Sequence, residues 1–202
     1  MKSSKPLAKA GRPRTFCAEQ ALDHAMKVFW EKGYEGSSLP DLTAAMGMNR
    51  PSLYAVFGNK QELFHKALER YGATRMGFFD RALALPTARA VVERVLIDYI
   101  AVQTEAGSPR GCLRINCALA CGDDAQPVRD ELAAARAGCE LKLRQRLQRA
   151  VAEGDLAPDA DPELLARYVM SLAQGMAVQA SGGVTRAQLL PLVALAMRAW
   201  PG

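Results

Sequence analysis

The sequence predicts an all-α protein of about nine helices, in which an N-terminal three-helix unit containing a helix-turn-helix precedes a larger helical domain. Gly and Pro fall at the edges of segments whose apolar residues recur with a helical period. Alternation of apolar and polar residues, which marks half-buried strands, never persists for more than a few positions. We therefore divide the chain into a basic flexible arm over residues 1–15, the helix-turn-helix unit over 16–60 and the helical domain over 61–202.

The composition is that of a folded chain without a membrane-spanning segment. Of the 202 residues, 50% are hydrophobic, so wholesale disorder is not expected. The longest apolar run, Leu189 to Met197, is nine residues long, whereas a spanning helix needs about 20. The first residues lack the apolar stretch of a signal peptide, and the five cysteines form no obvious pairing pattern. We expect a cytoplasmic protein with reduced thiols.

The first two helices are predicted from their boundary residues. Helix 1 runs from about Ala18 to Lys32 and ends at Gly33. Helix 2 begins after Ser38, which forms a capping-box pattern with Asp41, although Glu or Gln is the usual partner.

The third helix follows the second after a turn of only three residues. Gly47 ends helix 2, and Asn49 begins helix 3 with Pro51 in its first turn. A tight turn of this kind between two helices makes a helix-turn-helix. Helix 3 is too short to bury much surface, so we expect it to present its residues to a partner.

The remaining six helices are also bounded by capping residues, Gly or Pro. Helix 4 begins after Asn59 and is expected to reach about Leu85, although two glycines weaken it. The later helices are predicted between Thr87 and Ala106, Cys112 and Cys121, Asp123 and Gly154, Asp161 and Ser181, and Thr185 and Trp200.

Positive charge is concentrated near the N-terminus. Residues 1–60 hold nine Lys and Arg against five Asp and Glu, while residues 61–202 hold seventeen against sixteen. The first fifteen residues carry five basic side chains and no acid. This distribution indicates a polyanionic partner, nucleic acid above all, and a solvated basic tail is the alternative.

Helix 3 and its surroundings carry residue types that contact duplex DNA. A guanidinium at Arg50 can bond both acceptors of guanine, and Ser52 can contact a base edge. Tyr54 can hold a phosphate, as can Lys60 together with free N–H groups at the start of helix 4. Taken singly, Tyr54 could be a half-buried core aromatic, and Arg50 or Lys60 an ordinary surface charge. The candidate DNA-contact residues are Ser38, Arg50, Pro51, Ser52, Tyr54 and Lys60.

A series of short motifs spans the N-terminal third of the chain. They are Ala21-Leu22, Val28-Phe29, Gly33-Tyr34, Leu42-Thr43, Met46-Gly47, Asn49-Arg50-Pro51-Ser52-Leu53-Tyr54, Phe57-Gly58-Asn59-Lys60 and Leu63-Phe64. With them the stretch from Phe16 to Tyr71 resembles the DNA-binding domain of the TetR (tetracycline repressor) family. The resemblance implies a homodimer that binds a palindromic double-stranded DNA operator. It places Arg50, Ser52, Tyr54 and Lys60 at DNA-contact positions.

Two features flank this domain at its N-terminal side. Cys17 departs from the family, in which Asp often caps helix 1, and a thiol is a poor cap, so this end is expected to fray. Arg12 and Arg14 could follow the minor groove, as basic N-terminal arms do. The alternative is a flexible tail that adds only non-specific affinity.

The last two predicted helices are the most apolar part of the chain. Helix 9 is apolar on nearly all sides, which predicts that it is buried. Together with helix 8 it would form a four-helix interface with a second copy, in agreement with the resemblance, and a monomeric core is the alternative. The residues assigned to this interface are Leu165, Tyr168, Leu172, Leu189, Leu192, Val193 and Met197.

The resemblance also implies an effector cavity among helices 4 to 8. The sequence shows only that apolar and aromatic residues are available there, and core packing is the default interpretation for each. The candidates are Phe78, Phe79, Leu83, Tyr99, Leu113, Leu119 and Met176. Both histidines lie near the N-terminal unit and no Ser/His/Asp grouping is evident, so we expect no metal site, no cofactor and no enzymatic activity.

Cys112 is a candidate reactive thiol at the start of predicted helix 6. A helix N-terminus and the neighbouring Arg110 and Arg114 would activate it as a nucleophile. The Gly-Cys-Leu sequence here also resembles a subgroup of TetR-like regulators, some of which sense electrophiles or oxidants through cysteine. The alternatives are that these cysteines fill space in the core or bind a soft metal ion.

Two functions therefore compete. The first is a ligand-responsive repressor released from its operator by a small apolar or aromatic molecule, and the second is the same scaffold switched by thiol chemistry. No feature of the chain separates a repressor from an activator. A helical enzyme would need a catalytic constellation, and a sequence-neutral DNA-packaging protein would need broader basic coverage than residues 61–202 provide.

Overall fold

Ten α-helices and no strand make up the part of the chain that a computed structural model describes, residues 17–119 and 125–201. The all-α prediction is confirmed. The helices are α1 (Ala18–Gly36), α2 (Leu39–Met46), α3 (Arg50–Phe57), α4 (Lys60–Arg75), α5 (Gly77–Leu83), α6 (Ala88–Gln103), α7 (Leu113–Leu119), α8 (Gln126–Ala152), α9 (Pro162–Ser181) and α10 (Arg186–Arg198). Within these ranges no helix combines the length and the apolar character that crossing a bilayer requires.

Helix α1 begins where the sequence predicts and continues, after an interruption at Gly33, to Gly36. At its start, the Cys17 side chain makes no capping hydrogen bond. Near its end, Gly33 has φ 74° and ψ 173°, which interrupts the helical backbone at the predicted position. Such a positive φ favours glycine because a Cβ would clash with the backbone.

Predicted helix 4 is two helices, which raises the number from about nine to ten. The break lies at Met76, whose φ of −101° and ψ of 2° leave the helical region. The N–H of Met76 still bonds the carbonyl of Gly72 at 3.3 Å, and α5 starts at the next residue, Gly77. The flexible glycines on either side of Met76 are consistent with this break.

The end of α5 is held by a buried arginine from α8. The Arg146 guanidinium donates to the carbonyls of Leu83, Leu85 and Pro86 at 2.9 to 3.1 Å. Carbonyls at a helix C-terminus lack intrahelical partners, so a cation placed there is stabilising. Burial lowers the pKa of Arg146.

The helices form an N-terminal unit, α1 to α4, and a body, α5 to α10. In the N-terminal unit α1 packs against α2 and α4. In the body α6 packs against α5, α9 and α10, and α8 packs along α9. Helix α7 connects the two parts, because it contacts α1 and α4 on one side and α8 and α9 on the other.

Candidate nucleic-acid interface

The N-terminus of α2 is held by a capping box. Ser38 Oγ accepts the N–H of Asp41 at 3.2 Å, and the Asp41 carboxylate accepts the N–H of Ser38 at 3.2 Å. Lys32 Nζ lies 2.8 Å from the same carboxylate. Hydrogen bonds from Lys32 and then from Ser38 lower the pKa of Asp41 to about 2. The exposed Ser38 hydroxyl is thus bonded to Asp41, and this bond would compete with the predicted phosphate contact.

Helix α3 is fixed by its cap and by two buried side chains. Asn49 Oδ1 accepts the N–H of Ser52 at 2.9 Å, which satisfies one unpaired amide of the first turn. On the inner face Leu53 and Phe57 are 0% and 4% exposed. The short helix therefore has a defined orientation, and its other side faces outward.

The outward side of α3 brings together most of the predicted DNA-contact residues. Its exposed residues are Arg50, Pro51, Ser52, Tyr54, Ala55 and Val56. Tyr54 is 44% exposed, which rules out a core aromatic. Val56, 45% exposed, is an apolar residue of this surface that the sequence analysis did not name. Its exposure could have been predicted, because it precedes the inward-facing Phe57 by one residue and so points to another side of the helix.

Lys66 holds the other end of α3 and was also missed. Its Nζ donates to the Phe57 carbonyl at 3.1 Å and lies 5.9 Å from the Phe57 ring centroid. Because the lysine follows the carbonyl by nine residues and belongs to α4, no local pattern in the sequence points to this contact.

Lys60 lies at the start of α4, beside the outward side of α3. Its Nζ stands 4.5 Å from the Tyr34 ring centroid, a cation–π geometry that orients the side chain. The prediction that N–H groups here are free is wrong for Glu62. Asn59 Oδ1 accepts the Glu62 N–H at 3.0 Å, and the Glu62 carboxylate accepts the Asn59 N–H at 2.8 Å, because Glu at this position completes a capping box.

These features give a short exposed helix held by side chains at both ends, with a lysine beside it. The carboxylates of Asp41 and Glu62, the acids in the first turns of α2 and α4, are bonded to backbone amides. An exposed helix of this kind has the dimensions to enter a major groove and to place its N-terminal residues on base edges. Arg12 and Arg14 lie outside the described residues.

Helix α7 and the residues before it fasten the N-terminal unit to the body. Trp30 Nε1 donates to the Gly111 carbonyl at 2.8 Å, and Asn116 Nδ2 donates to the Trp30 carbonyl at 3.3 Å. Cys117 Sγ contacts the Phe29 carbonyl at 3.3 Å. A displacement of α7 would therefore be transmitted to α1, the helix against which the helix-turn-helix packs.

The predicted effector residues lie mostly in the body's core. Phe78 meets Phe79 and Tyr99 edge to face, with centroids 6.4 and 6.2 Å apart. Leu113 and Met176 are buried and Leu83 is half-buried, while the side chain of Leu119 lies outside the described residues. Tyr99 also lines a cavity of about 10 Å³, which has room for about one water molecule. In this conformation core packing, the default interpretation, describes these side chains.

The surroundings of Cys112 differ from those predicted. Its thiol is 1% exposed, and the hydroxyl of Tyr71 lies 3.5 Å from its Sγ. The two arginines expected beside it bond elsewhere, since Arg110 donates to a carbonyl of the α9–α10 turn at 2.8 Å and Arg114 donates to Cys139 Sγ at 3.3 Å. Cys139 is half-buried and lies on α8, so nothing in the sequence near Arg114 predicts their contact. Cys121 is outside the described residues.

The predicted dimer residues divide into two groups. On the outside Tyr168 and Leu192 are 40% and 37% exposed, and Leu165 and Leu172 are half-buried. Three others recur every four residues along α10 and are buried in the core of their own subunit: Leu189, Val193 and Met197. Their assignment to the dimer interface is therefore wrong for this subunit. The same two helices expose three further apolar residues outside the assigned set: Leu164, Val178 and Leu195.

Two family models match the chain. Residues 21–67 match the model described as bacterial regulatory proteins of the tetR family. Residues 87–188 match the tetracyclin repressor-like C-terminal domain. The two matches fall on the N-terminal unit and on the body.

Relatives in sequence and in structure agree with these models. The HTH-type transcriptional repressor ComR of Escherichia coli K12 is 36% identical over 200 residues, which are 95% of this chain and 92% of that protein. The HTH-type transcriptional regulator YezE of Bacillus subtilis 168 is 30% identical over 165 residues, 79% of this chain and 83% of that protein.

A solved structure is similar over almost the whole fold. It is a cysteine mutant of the TetR family transcriptional regulator CifR in complex with 26-base-pair double-strand operator DNA. The sequences are 43% identical, the match covers 94% of this chain and 100% of that one, and the TM-score is 0.89. The chain described here belongs to the tetR family of bacterial regulatory proteins.

Proposed function

We propose that this protein is a transcriptional repressor that binds a palindromic DNA operator as a homodimer and leaves it when a small effector acts on the body. The observation that carries the proposal is the outward side of α3, which is exposed and fixed at both ends by Asn49 and Lys66. The CifR structure, which was determined on operator DNA, supports it through its 43% identity.

The chemistry of this surface suits sequence reading. Arg50 at the start of α3 would bond guanine in the major groove, and Ser52 would contact an adjacent base edge. Tyr54 and Lys60 would hold phosphates on either side and set the register of the helix on the duplex. The basic arm with Arg12 and Arg14 would add contacts in the minor groove.

The exposed apolar residues of α9 and α10 would meet the same residues of a second copy. Leu164, Tyr168 and Leu195 are 61%, 40% and 55% exposed, and contact with a second copy would remove this apolar surface from water. A two-fold interface of this kind would hold two α3 helices for two half-sites, which matches a palindrome.

The test is selection of random double-stranded DNA on the purified protein under reducing conditions. We expect an enriched palindrome. Arg50→Ala should then weaken binding to that palindrome by about tenfold to a hundredfold, because a bidentate base contact is lost. Arg81→Ala, at an exposed arginine of α5, is the matched control and should bind as the unmodified protein does. Salt-sensitive binding to all sequences without enrichment would contradict the proposal.

A second candidate keeps the DNA-binding part but replaces the reversible effector by thiol chemistry. It is favoured by the cavity beside Tyr99, which Cys112 and Cys139 both line. Cys139 is the more accessible of the two, and a guanidinium contacts its sulfur, whereas Cys112 needs a local opening. Release of the operator by oxidant, reversed by dithiothreitol and abolished in Cys112→Ser or Cys139→Ser, would establish it. Release that persists in both variants would exclude it.

A further inference from the structure

We propose that the effector is a small anion, a carboxylate or a group of the same charge, and that Arg114 and Arg136 bind it in the cavity beside Tyr99. The inference rests on the proposed function, because it names the class of effector that acts on the body. It differs from the apolar or aromatic effector that the sequence predicts.

The cavity lies between α6, α7, α8 and α9 and is lined by an unusual set of polar groups. They are the side chains of Tyr99, Cys112, Arg114, Arg136, Cys139 and Gln174. Two of the six are guanidinium groups, and the lining contains no Asp or Glu. The residues that line the cavity therefore include two cations and no anion.

The guanidinium groups of Arg114 and Arg136 make few and long hydrogen bonds. Arg114 Nε is buried without a hydrogen-bond partner, and Arg114 Nη1 makes only long contacts, to the Ala135 carbonyl at 3.4 Å and to Cys139 Sγ at 3.3 Å. Arg136 Nη1 reaches the carbonyl of Arg114 at 3.5 Å. Among the described residues neither guanidinium lies within 4.0 Å of a carboxylate.

Nearby arginines on α8 and α9 form ion pairs with a carboxylate. Arg144 on α8 lies 3.6 Å from a carboxylate oxygen of Glu163, and Arg167 on α9 lies 3.0 Å from the same side chain. Partly buried cations without a counter-charge cost free energy, which an anion bound beside them would recover. A carboxylate suits the planar fork of a guanidinium, because its two oxygens accept two parallel N–H bonds.

The neighbouring titratable groups do not supply the missing negative charge. Burial raises the pKa of Tyr99 well above its ordinary value, and burial does the same for Tyr71, which lies behind Cys112. Both phenols are thus neutral hydrogen-bond donors at physiological pH. Tyr99, which lines the same cavity, therefore offers an anion a hydrogen-bond donor.

The size and lining of the cavity restrict the ligand. Its volume is about 10 Å³, so side chains must move before anything larger than a water molecule enters. Met76 and Met170 line its apolar side, and unbranched methionines adapt readily to a new shape. Arg136 and Gln174 are partly exposed, which gives a short path from the surface. A compact carboxylate with a short apolar chain fits these conditions.

Binding at Arg114 would act directly on the element that joins the two parts of the molecule. Arg114 belongs to α7, and Asn116 and Cys117 of the same helix contact the backbone of α1. An anion that draws Arg114 toward Arg136 on α8 would shift α7 against α1. The N-terminal unit would then change its tilt, which is how a small effector could release DNA.

The experiment is isothermal titration calorimetry on the full chain in a chloride-poor buffer, with butyrate and benzoate as probes and butyramide and benzamide as their uncharged counterparts. We expect each carboxylate to bind at least about tenfold more tightly than its amide. Arg114→Gln and Arg136→Gln should each weaken carboxylate binding by about tenfold or more, while Arg81→Gln should leave it unchanged. Arg114→Lys, which keeps the charge, should retain part of the affinity.

The outcomes separate this inference from the proposed function. Equal affinity for carboxylate and amide, or no binding of either, overturns the anion inference even if an operator palindrome is enriched. Carboxylate binding that survives both glutamine substitutions also overturns it. Carboxylate binding by a protein that enriches no palindrome overturns the repressor proposal alone. Circular dichroism checks folding, and Arg114→Lys and Arg136→Gln carry the test if Arg114→Gln does not fold.

Discussion

Two short helices, α3 and α7, are held in place in opposite ways. Helix α3 has eight residues, buries only Leu53 and Phe57, and is fixed by nearby side chains such as Asn49. Helix α7 has seven residues, buries Leu113, Ile115 and Cys117, and joins α1 through hydrogen bonds between residues more than 80 positions apart in sequence. The first arrangement leaves a surface free for a partner, whereas the second makes the helix a joint inside the molecule.

This difference predicts where a substitution will lower the stability of the protein most. Local caps contribute about 1 kcal/mol each, so α3 can be altered with modest loss of stability. The contacts of α7 and of the turn before it are buried and shared between the N-terminal unit and the body. A substitution there should therefore lower the free energy of unfolding by more, and should affect both the N-terminal unit and the body.

The largest effect is expected at the glycines that precede the two helices. Gly111 has φ +77°, and a Cβ there would meet Ser181 Cβ at 2.7 Å, Asn116 Oδ1 at 2.9 Å and the Ala177 carbonyl at 3.0 Å. Gly47 has φ +65° with nothing within 4 Å of such a Cβ. Gly111→Ala should lower the free energy of unfolding by about 2 to 5 kcal/mol, and Gly47→Ala by about 1 to 2 kcal/mol.

Urea denaturation followed by circular dichroism measures both values. Because both alanines carry a penalty for a positive φ, an excess loss in Gly111→Ala reports the crowding around that residue. Equal losses in the two variants would show that the turn before α7 relaxes freely, and the contrast between the helices would fail.

A smaller effect is expected from the hydrogen bond that joins the N-terminal unit to the turn before α7. Trp30→Phe removes the 2.8 Å bond to the Gly111 carbonyl and leaves that acceptor buried. We expect a loss of about 1 to 3 kcal/mol in the free energy of unfolding. Trp200→Phe is the matched control, since Trp200 Nε1 is buried and has no hydrogen-bond partner in the described part of the chain. A loss as large in Trp200→Phe would mean that ring volume, not the hydrogen bond, sets the cost.

The smallest effect concerns an exposed contact between α4 and α8. His65 Nδ1 lies 2.5 Å from Glu131 Oε1, and this hydrogen bond raises the pKa of His65 above 6.5. The pair should stabilise the fold fully below about pH 6.5, and its contribution should disappear as pH rises through the raised pKa. Since His65 is 55% exposed, we expect a change within about 1 kcal/mol.

Stability curves of the unmodified protein and of His65→Gln at about pH 6 and about pH 8.5 test this point. The histidine should confer extra stability only at the lower pH. An equal difference between the two proteins at both values would contradict a protonated pair.

The elements that depend on local chemistry could be predicted from sequence. The caps at Ser38, Asn49 and Asp161 and the interruption at Gly33 lie where the pattern of residues puts them. Each is decided within about four residues, which is the range over which a sequence pattern carries information. Tyr54 taken singly allowed either a core aromatic or a DNA contact, and its 44% exposure decides for the surface.

The features that depend on distant residues could not be predicted. No pattern near Met76 distinguishes a weakened helix from a broken one. The arginines around Cys112 were placed by their nearness in sequence, but their side chains turn to Cys139 on α8 and to the α9–α10 turn. Likewise the inward side of α10 could be assigned to the subunit core only once α6 was known to pack against it.

Trp30 is also an intrinsic fluorescent probe of the contact between the N-terminal unit and the body. The chain has two tryptophans, and the indole of Trp30 is fully buried at the junction of α1 with the Gly111 turn, edge-on to the Tyr71 ring at 5.0 Å. In a Trp200→Phe protein the remaining tryptophan fluorescence would come from this junction alone. Its emission would then follow, without any attached label and in real time, the relative movement of the N-terminal unit and the body.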